Sequence, residues 1–335
     1  MPIPDGGAQT PWAVAASSSG SAVVFKGHAN SYTKVTSVLH LDGGQWRYEP
    51  LPEPMPWWKE ASVAAASPGA AWIGGVDMYA KTPGSWHWDG ARWTRVDVPF
   101  DGPFAGRMAV AAEPGGTAWG LLTGFYRNPL DDRVFRFEGG RWVQQDVPLP
   151  PQETTELTSI AAGSAENVWI AGVTSDGQGA AVPFTLRWDG TRWQRNDLSG
   201  PYRDVRLGAV TRRHAWAFTT AGSWQQGTEE RRLWRFARGG WSAVADVPHV
   251  GGGARPEYVR PVLDGRGRVW TPGAGAGRSC YQHWDGTEWR TVYGPERDAA
   301  ARCVVHDLVR VPGTRSLWAV GEDETNARPF AERWG

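Results

Sequence analysis

Residues 167–197, NVWIAGVTSDGQGAAVPFTLRWDGTRWQRND, decide the fold of this chain. Asn167 to Val173 is a Trp-centred apolar run, Phe184 to Trp188 alternates, Asp189-Gly190-Thr191 turns, and Arg192 to Asp197 alternates again. Ahead of them lies one more short apolar segment, Leu157 to Ala162. This is the pattern of four short antiparallel strands, and Asp-Gly between alternating runs is a strong hairpin signal.

The unit recurs. A Trp in a short apolar run stands at 12, 72, 119, 169, 216, 270 and 318, and a second Trp follows a turn at 46, 93, 142, 193, 241 and 289. Intervals in the second series are 47, 49, 51, 48 and 48 residues, a period at which self-similarity means stacked units. The turn returns as Asp42-Gly43, Asp89-Gly90, Asp189-Gly190 and Asp285-Gly286, with Glu138-Gly139 as a variant. Four-stranded units with no helical period between them predict an all-β chain, a β-propeller of antiparallel blades. At this period 335 residues make seven blades, read as one domain over 1–335. The chain is expected to begin at a second strand, Pro11 to Ala15, and to stop at a third, Phe330 to Trp334, with first and last blades abutting.

The blade pattern resembles that of bacterial, actinobacterial-type propellers with a VWAVG-like strand followed by a HWDG-x-x-W hairpin. Here these read Leu317-Trp318-Ala319-Val320-Gly321 and His283-Trp284-Asp285-Gly286-Thr287-Glu288-Trp289. Tectonin and Asp-box propellers are similar in the hairpin, but their turn spacing differs. The Trp-Asp dipeptides lie between third and fourth strands without a Gly-His partner, unlike true WD repeats. The resemblance implies a fold and no particular activity.

Lys+Arg and Asp+Glu both total 35, so no global basic field attracts nucleic acid. No apolar run is long enough to span a membrane, and Met1 to Gly7 lacks the form of a signal peptide. That is the expectation for a cytoplasmic protein, or for a mature form whose export signal has been removed. Two cysteines, Cys280 and Cys303, are too few for a disulfide scaffold, and a bridge between them stays open.

The tryptophans sort into columns. A further column on the third strand holds Leu41, Trp88, Phe137, Trp188, Phe236, Trp284 and Trp334. Two residues earlier stand Leu39, Trp86, Phe135, Leu186 and Trp234. Positions that interchange Trp, Phe and Leu need bulk, so these are read as packing between blades. Trp57, Trp58 and Trp224 stand outside every column. Propeller topology puts all three on the face that carries the between-blade connections and the second-to-third loops. That face also receives the tyrosines, Tyr126, Tyr202 and Tyr258 among them, and cations near the inner-strand mouths: Arg107, Arg206, Arg260 and Arg302. Long loops on a rigid scaffold commonly carry function. Guanidinium groups around a concavity suit a carboxylate or phosphate, although salt bridges, for instance to Asp204, are the alternative use.

No His pair has metal-ligand spacing, and the run from Gly273 to Arg278 reads as a flexible loop rather than a phosphate cradle. Neither metal nor cofactor is expected. His306 joins the candidate site, but an alternating strand sets it on the opposite face from Cys303, which argues against a Cys-His pair. The reading is a monomeric binder of a small molecule or peptide with aromatic or anionic character. Its ligand contacts are Trp57, Trp58, Arg107, Tyr126, Tyr202, Arg206, Trp224, Tyr258, Arg260, Arg302 and His306. The alternatives are an enzyme, a lyase, cyclase or hydrolase using the same pocket, and a secreted lectin.

Overall fold

The computed structural model describes residues 10–18, 20–27, 35–55, 61–77, 80–101, 106–114, 116–124, 132–149, 154–175, 181–211, 214–222, 229–248 and 259–335. Every element in them is a strand. The strands form seven four-stranded antiparallel sheets, so the chain is a seven-bladed β-propeller. Blades 1 to 7 span 10–55, 62–96, 106–145, 154–197, 204–246, 262–296 and 302–334. Within a blade the chain runs from the inner strand outward, and each sheet packs against the next.

The Asp-Gly turns close as read. In blade 4 the Asp189 carboxylate accepts the N–H groups of Thr191 and Arg192, each at 3.0 Å, while Gly190 takes a φ of +98°. Blades 2 and 6 repeat this at Asp89 and Asp285. The turn sets Trp88 against Trp93, Trp188 against Trp193 and Trp284 against Trp289 as cross-strand pairs.

The second-strand Trp of one blade meets the aromatics of the next, Trp72 with Phe137 and Trp169 with Phe236. The strand beside it supplies a cation or imidazole cover: His87 on Trp72, Arg136 over Trp119, Arg187 over Trp169, Arg235 over Trp216 and His283 on Trp270. His87 and His283 are thus packing groups, and burial lowers the pKa of both. The indole N–H of Trp169 donates to Asn167 and that of Trp270 to Asp264, whereas those of Trp72, Trp119 and Trp318 find no acceptor. What the column shares is bulk.

Two expectations are corrected. Pro11 to Ala15 belongs to the inner strand of blade 1, Thr10–Ser18; its second strand is Ser21–Gly27, and Val23 occupies the Trp position. Trp12 therefore lies outside the column. The supposed loop at 273–278 contains a strand, Ala274–Ala276, which leaves blade 6 and pairs with Arg302 to Val304 on the inner edge of blade 7. Gly275 also lies close to the strand that follows it, where a Cβ would stand 2.5 Å from the Arg278 carbonyl oxygen. The chain end is as read: Arg328–Trp334 is the third strand of blade 7.

An inner strand is the edge of its sheet, and its outward N–H and C=O groups need partners. One position, two residues before the partner of the second-strand column, supplies them across blade junctions. Ser62 Oγ accepts the Val110 N–H at 3.1 Å and faces the Val110 oxygen at 3.4 Å. Ser159 Oγ accepts the Leu207 N–H at 2.9 Å and donates to the Val205 oxygen at 3.0 Å. In blade 7 the same position is Asp307, whose Oδ2 accepts the Val14 N–H of blade 1 at 3.0 Å. Beside it Val14, Val24 and Leu39 of blade 1 pack on Val311, Trp318 and Val320 of blade 7.

Candidate functional site

Three inner strands carry one residue more than their partners, at the same height. The extra residues are Trp12 between Pro11 and Ala13, Thr158 between Leu157 and Ser159, and His306 between Val305 and Asp307. A bulge re-aims a side chain and bends the strand, and bulges concentrate beside functional sites. Each of these three stands in a polar or aromatic cluster.

The first cluster joins blades 3, 4 and 5. The Thr158 carbonyl accepts Arg206 Nη1 at 2.8 Å and Arg107 Nη2 at 3.3 Å. Arg206 Nε also donates to Asp204 Oδ2 at 2.8 Å, and Arg107 Nε to Thr123 Oγ1 at 3.0 Å. Both guanidinium groups thus brace the ring, and the salt-bridge alternative holds for Arg206. Below them Asp132 accepts the Gly124 N–H at 3.0 Å and the Leu157 N–H at 2.7 Å. Burial nevertheless pushes its pKa up to about 7.

The second cluster joins blades 6, 7 and 1. His306 Nε2 lies 3.2 Å from Glu322 Oε1, and Thr10 Oγ1 donates to Glu322 Oε2 at 2.6 Å. Burial works to raise the Glu322 pKa, but the bonds from His306 and Thr10 outweigh it and hold the carboxyl below its ordinary value. The Trp12 and His306 rings lie 4.6 Å apart, tilted by 42°. Next along the strand, Asp307 faces Arg260 Nη2, 3.4 Å from each carboxylate oxygen. The Arg260 side chain is 40% exposed and its described contacts are these two long ones. Burial raises the Asp307 pKa despite Arg260. The cluster combines a cation with N–H donors to spare, an imidazole oriented by a carboxylate, and an indole. It can hold an anion beside an apolar group.

Of the residues expected from sequence, Arg107 and Arg206 share the Thr158 carbonyl in one cluster, and Arg260 faces Asp307, the residue after His306, in the other. Arg302 is exposed and turned to Glu324 of its own blade. Tyr202 corrects the reading: it is buried in the packing of blade 5, its ring 6.0 Å from that of Trp234. Trp57, Trp58, Tyr126, Trp224 and Tyr258 lie outside the described residues. Sequence reasoning missed Thr10, Trp12, Thr158, Asp307 and Glu322. For Trp12 a signal existed, because the 60-residue interval to Trp72 breaks the period.

Cys280 and Cys303 are free, buried thiols, and burial raises the pKa of both, which is unfavourable to a nucleophile. Among the described residues no three His, Cys, Asp or Glu side chains gather as a metal site.

No protein-family model matches the chain, and no curated protein sequence does. Solved structures match in fold. Polysaccharide lyase Uly1 is 10% identical with a TM-score of 0.63, covering 97% of this chain and 89% of its own. YCF48 bound to D1 peptide is 13% identical with a TM-score of 0.56, covering 100% and 93%. The six-bladed fucose-binding lectin of Aleuria aurantia is 10% identical with a TM-score of 0.52, covering 86% and 96%. Propellers similar to this chain thus include a peptide binder, a lectin and a lyase, and at these identities the likeness is one of fold alone.

Proposed function

We propose that this propeller, one closed ring, binds a single small molecule or peptide bearing an anionic group at the channel mouth where blades 6, 7 and 1 meet. Arg260 receives the anion, His306 and Trp12 contact the group beside it, and Arg302 stands at the rim. Arg107 and Arg206 set the charge of the opposite wall. Trp57, Trp58, Tyr126, Trp224 and Tyr258, expected on the same face from the sequence, are proposed to add apolar and stacking contact. The observation that carries this reading is Arg260: a half-exposed guanidinium, held only at 3.4 Å, beside a polar cluster assembled by two strand bulges. The neighbours support the breadth of the reading, since one holds a peptide and another recognises fucose.

The test is calorimetric titration with acidic dipeptides, uronic acids and inorganic phosphate. A probe that binds wild type should lose at least tenfold affinity in Arg260→Gln and in His306→Ala, with nearly unchanged melting temperatures. Binding that survives both substitutions, or a panel with no binder, overturns the proposal.

The His306–Glu322 pair favours a second reading, an enzyme in which His306 moves a proton at the same site. It requires turnover. A bound probe recovered chemically unchanged after prolonged incubation, by mass spectrometry, would count against it.

A further inference from the structure

The turns between first and second strands share the face opposite the candidate site. In blade 3 this turn runs from Glu113 to Thr117, closed by the Glu113 N–H on the Thr117 oxygen at 3.1 Å and the Gly116 N–H on the Glu113 oxygen at 3.3 Å. Blade 6 repeats both bonds over Asp264 to Arg268, at 3.0 and 3.2 Å, but carries Arg266 and Arg268. Blade 7 adds Arg310 and Arg315 at the ends of its turn, where the Val311 N–H bonds the Ser316 oxygen at 2.9 Å. The two turns abut, since a Cβ on Gly265 would stand 2.5 Å from the Thr314 carbonyl oxygen and 2.7 Å from the Arg315 Cα. Arg266 and Arg315 are therefore within about 8 Å of each other, Cα to Cα. The acid of these turns, Asp264, is buried and held by Arg268, Trp270 and two turn N–H groups. Arg266, Arg310 and Arg315 are exposed, and among the described residues none has an acidic partner. Gathered cations repel one another, and blade 3 closes the same turn without any, so the fold does not require them.

We propose that Arg266, Arg310 and Arg315 form a docking surface for a short acidic segment, a run of Asp or Glu side chains, of a partner protein. Guanidinium groups set on closed turns offer paired N–H donors to carboxylates. The surroundings select among polyanions. Farther out on this face the hairpin tips expose Asp42, Asp89 and Glu138, paired with Arg47, Arg92 and Arg136. Beyond the two turns, therefore, no continuous basic surface awaits a nucleic-acid strand or an anionic membrane. Neither turn exposes a large apolar side chain that could enter lipid. A short acidic run matches the extent of the three arginines. This surface is separate from the site around Arg260, which lies toward the opposite face.

The probe is a fluorescein-labelled hexaglutamate peptide, titrated by anisotropy at low ionic strength into wild type and into Arg260→Gln protein, which lacks the cation of the channel mouth. Saturable binding is expected in both. Arg266→Gln combined with Arg315→Gln should weaken it at least tenfold with an unchanged melting temperature, both side chains being exposed. A control pair, Arg92→Gln with Arg192→Gln, removes the same charge elsewhere on this face and should change affinity by less than twofold. No saturation at millimolar peptide overturns the proposal, and so does an equal loss in the control pair. Binding that disappears with Arg260→Gln alone would put the peptide at the channel mouth, overturning this proposal and leaving that site standing. Displacement of the peptide by an oligothymidylate or by anionic vesicles at a lower concentration of negative charge than free hexaglutamate requires would also overturn it, reassigning the surface to nucleic acid or membrane.

Discussion

Replacing Asp307 with Ala tests how the ring is closed. The substitution leaves the Val14 N–H, 3.0 Å from Oδ2, and the Leu308 N–H, 2.9 Å from Oδ1, without that acceptor. A hydrogen bond to a charged group is worth about 1.5–3 kcal/mol net. The Arg260 contact adds little, being long and partly screened by solvent. Burial, which raises the Asp307 pKa, offsets part of the gain, so the expected loss is about 3 kcal/mol. Ser62→Ala removes a neutral hydroxyl from the equivalent position between blades 2 and 3, and should cost about 1 kcal/mol. With an unfolding entropy of about 2.1 cal/mol/K per residue, Asp307→Ala should lower the melting temperature by about 4 °C. Asp307→Asn keeps one acceptor oxygen and should lose about half as much. Urea titration followed by tryptophan fluorescence measures all three variants at unchanged m-value. An Asp307→Ala protein within about 0.5 kcal/mol of wild type, or no weaker than Ser62→Ala, would refute the latch.

Asp132 gives a pH dependence. Its folded pKa, raised to about 7 by burial, lies above the unfolded value, so its contribution to stability is full below about pH 4 and is lost, up to about 4 kcal/mol, as the pH rises to 7. Asp132→Asn should flatten that slope in melts across the range; parallel profiles would refute the assignment. In Gly208→Ala a new Cβ would stand 2.0 Å from the Pro261 carbonyl oxygen of the next blade, so soluble yield or stability should fall severely, by about 3 kcal/mol or more. A wild-type urea midpoint would show that the junction can shift. Trp119→Phe should cost about 1–2 kcal/mol, its bulk being what matters, and leave probe binding intact. A change in probe affinity would contradict a purely packing role for Trp119. Cys280 and Cys303 should resist a thiol reagent until urea unfolds the protein, and prompt labelling of the native state would contradict their burial.

The fold was legible because its signals are local. Asp189-Gly190 and Trp193 state the hairpin within a few residues, and the repeat states it again. Blade 1 was misread because Trp12 imitates a column member while Val23, at the true position, carries no aromatic signal. The strand at Ala274–Ala276 was illegible for another reason: its partner, Arg302 to Val304, lies in the next blade, a tertiary fact. The site divided the same way. Arg107, Arg206, Arg260 and His306 could be placed near inner-strand mouths by topology alone. Glu322 and Thr10 could not, because they meet only where the first and last blades close. The use of Tyr202 in packing depends on Trp234, thirty-two positions along the chain, and no local pattern states that distance.

The hydroxyl of Ser62 grips backbone, and so does that of Ser159. Neither asks anything of the side chains it meets. A blade carrying such a group can therefore be followed by any blade whose inner strand presents an extended main chain at that height. Duplicating the gene segment for one blade would copy the grip together with the surface to be gripped. The number of blades is then constrained by the angle between sheets rather than by matched pairs of side chains. A lineage can alter the loops of such a blade, or its sequence almost throughout, while the junctions after blades 2 and 4 stay fastened by a single hydroxyl oxygen.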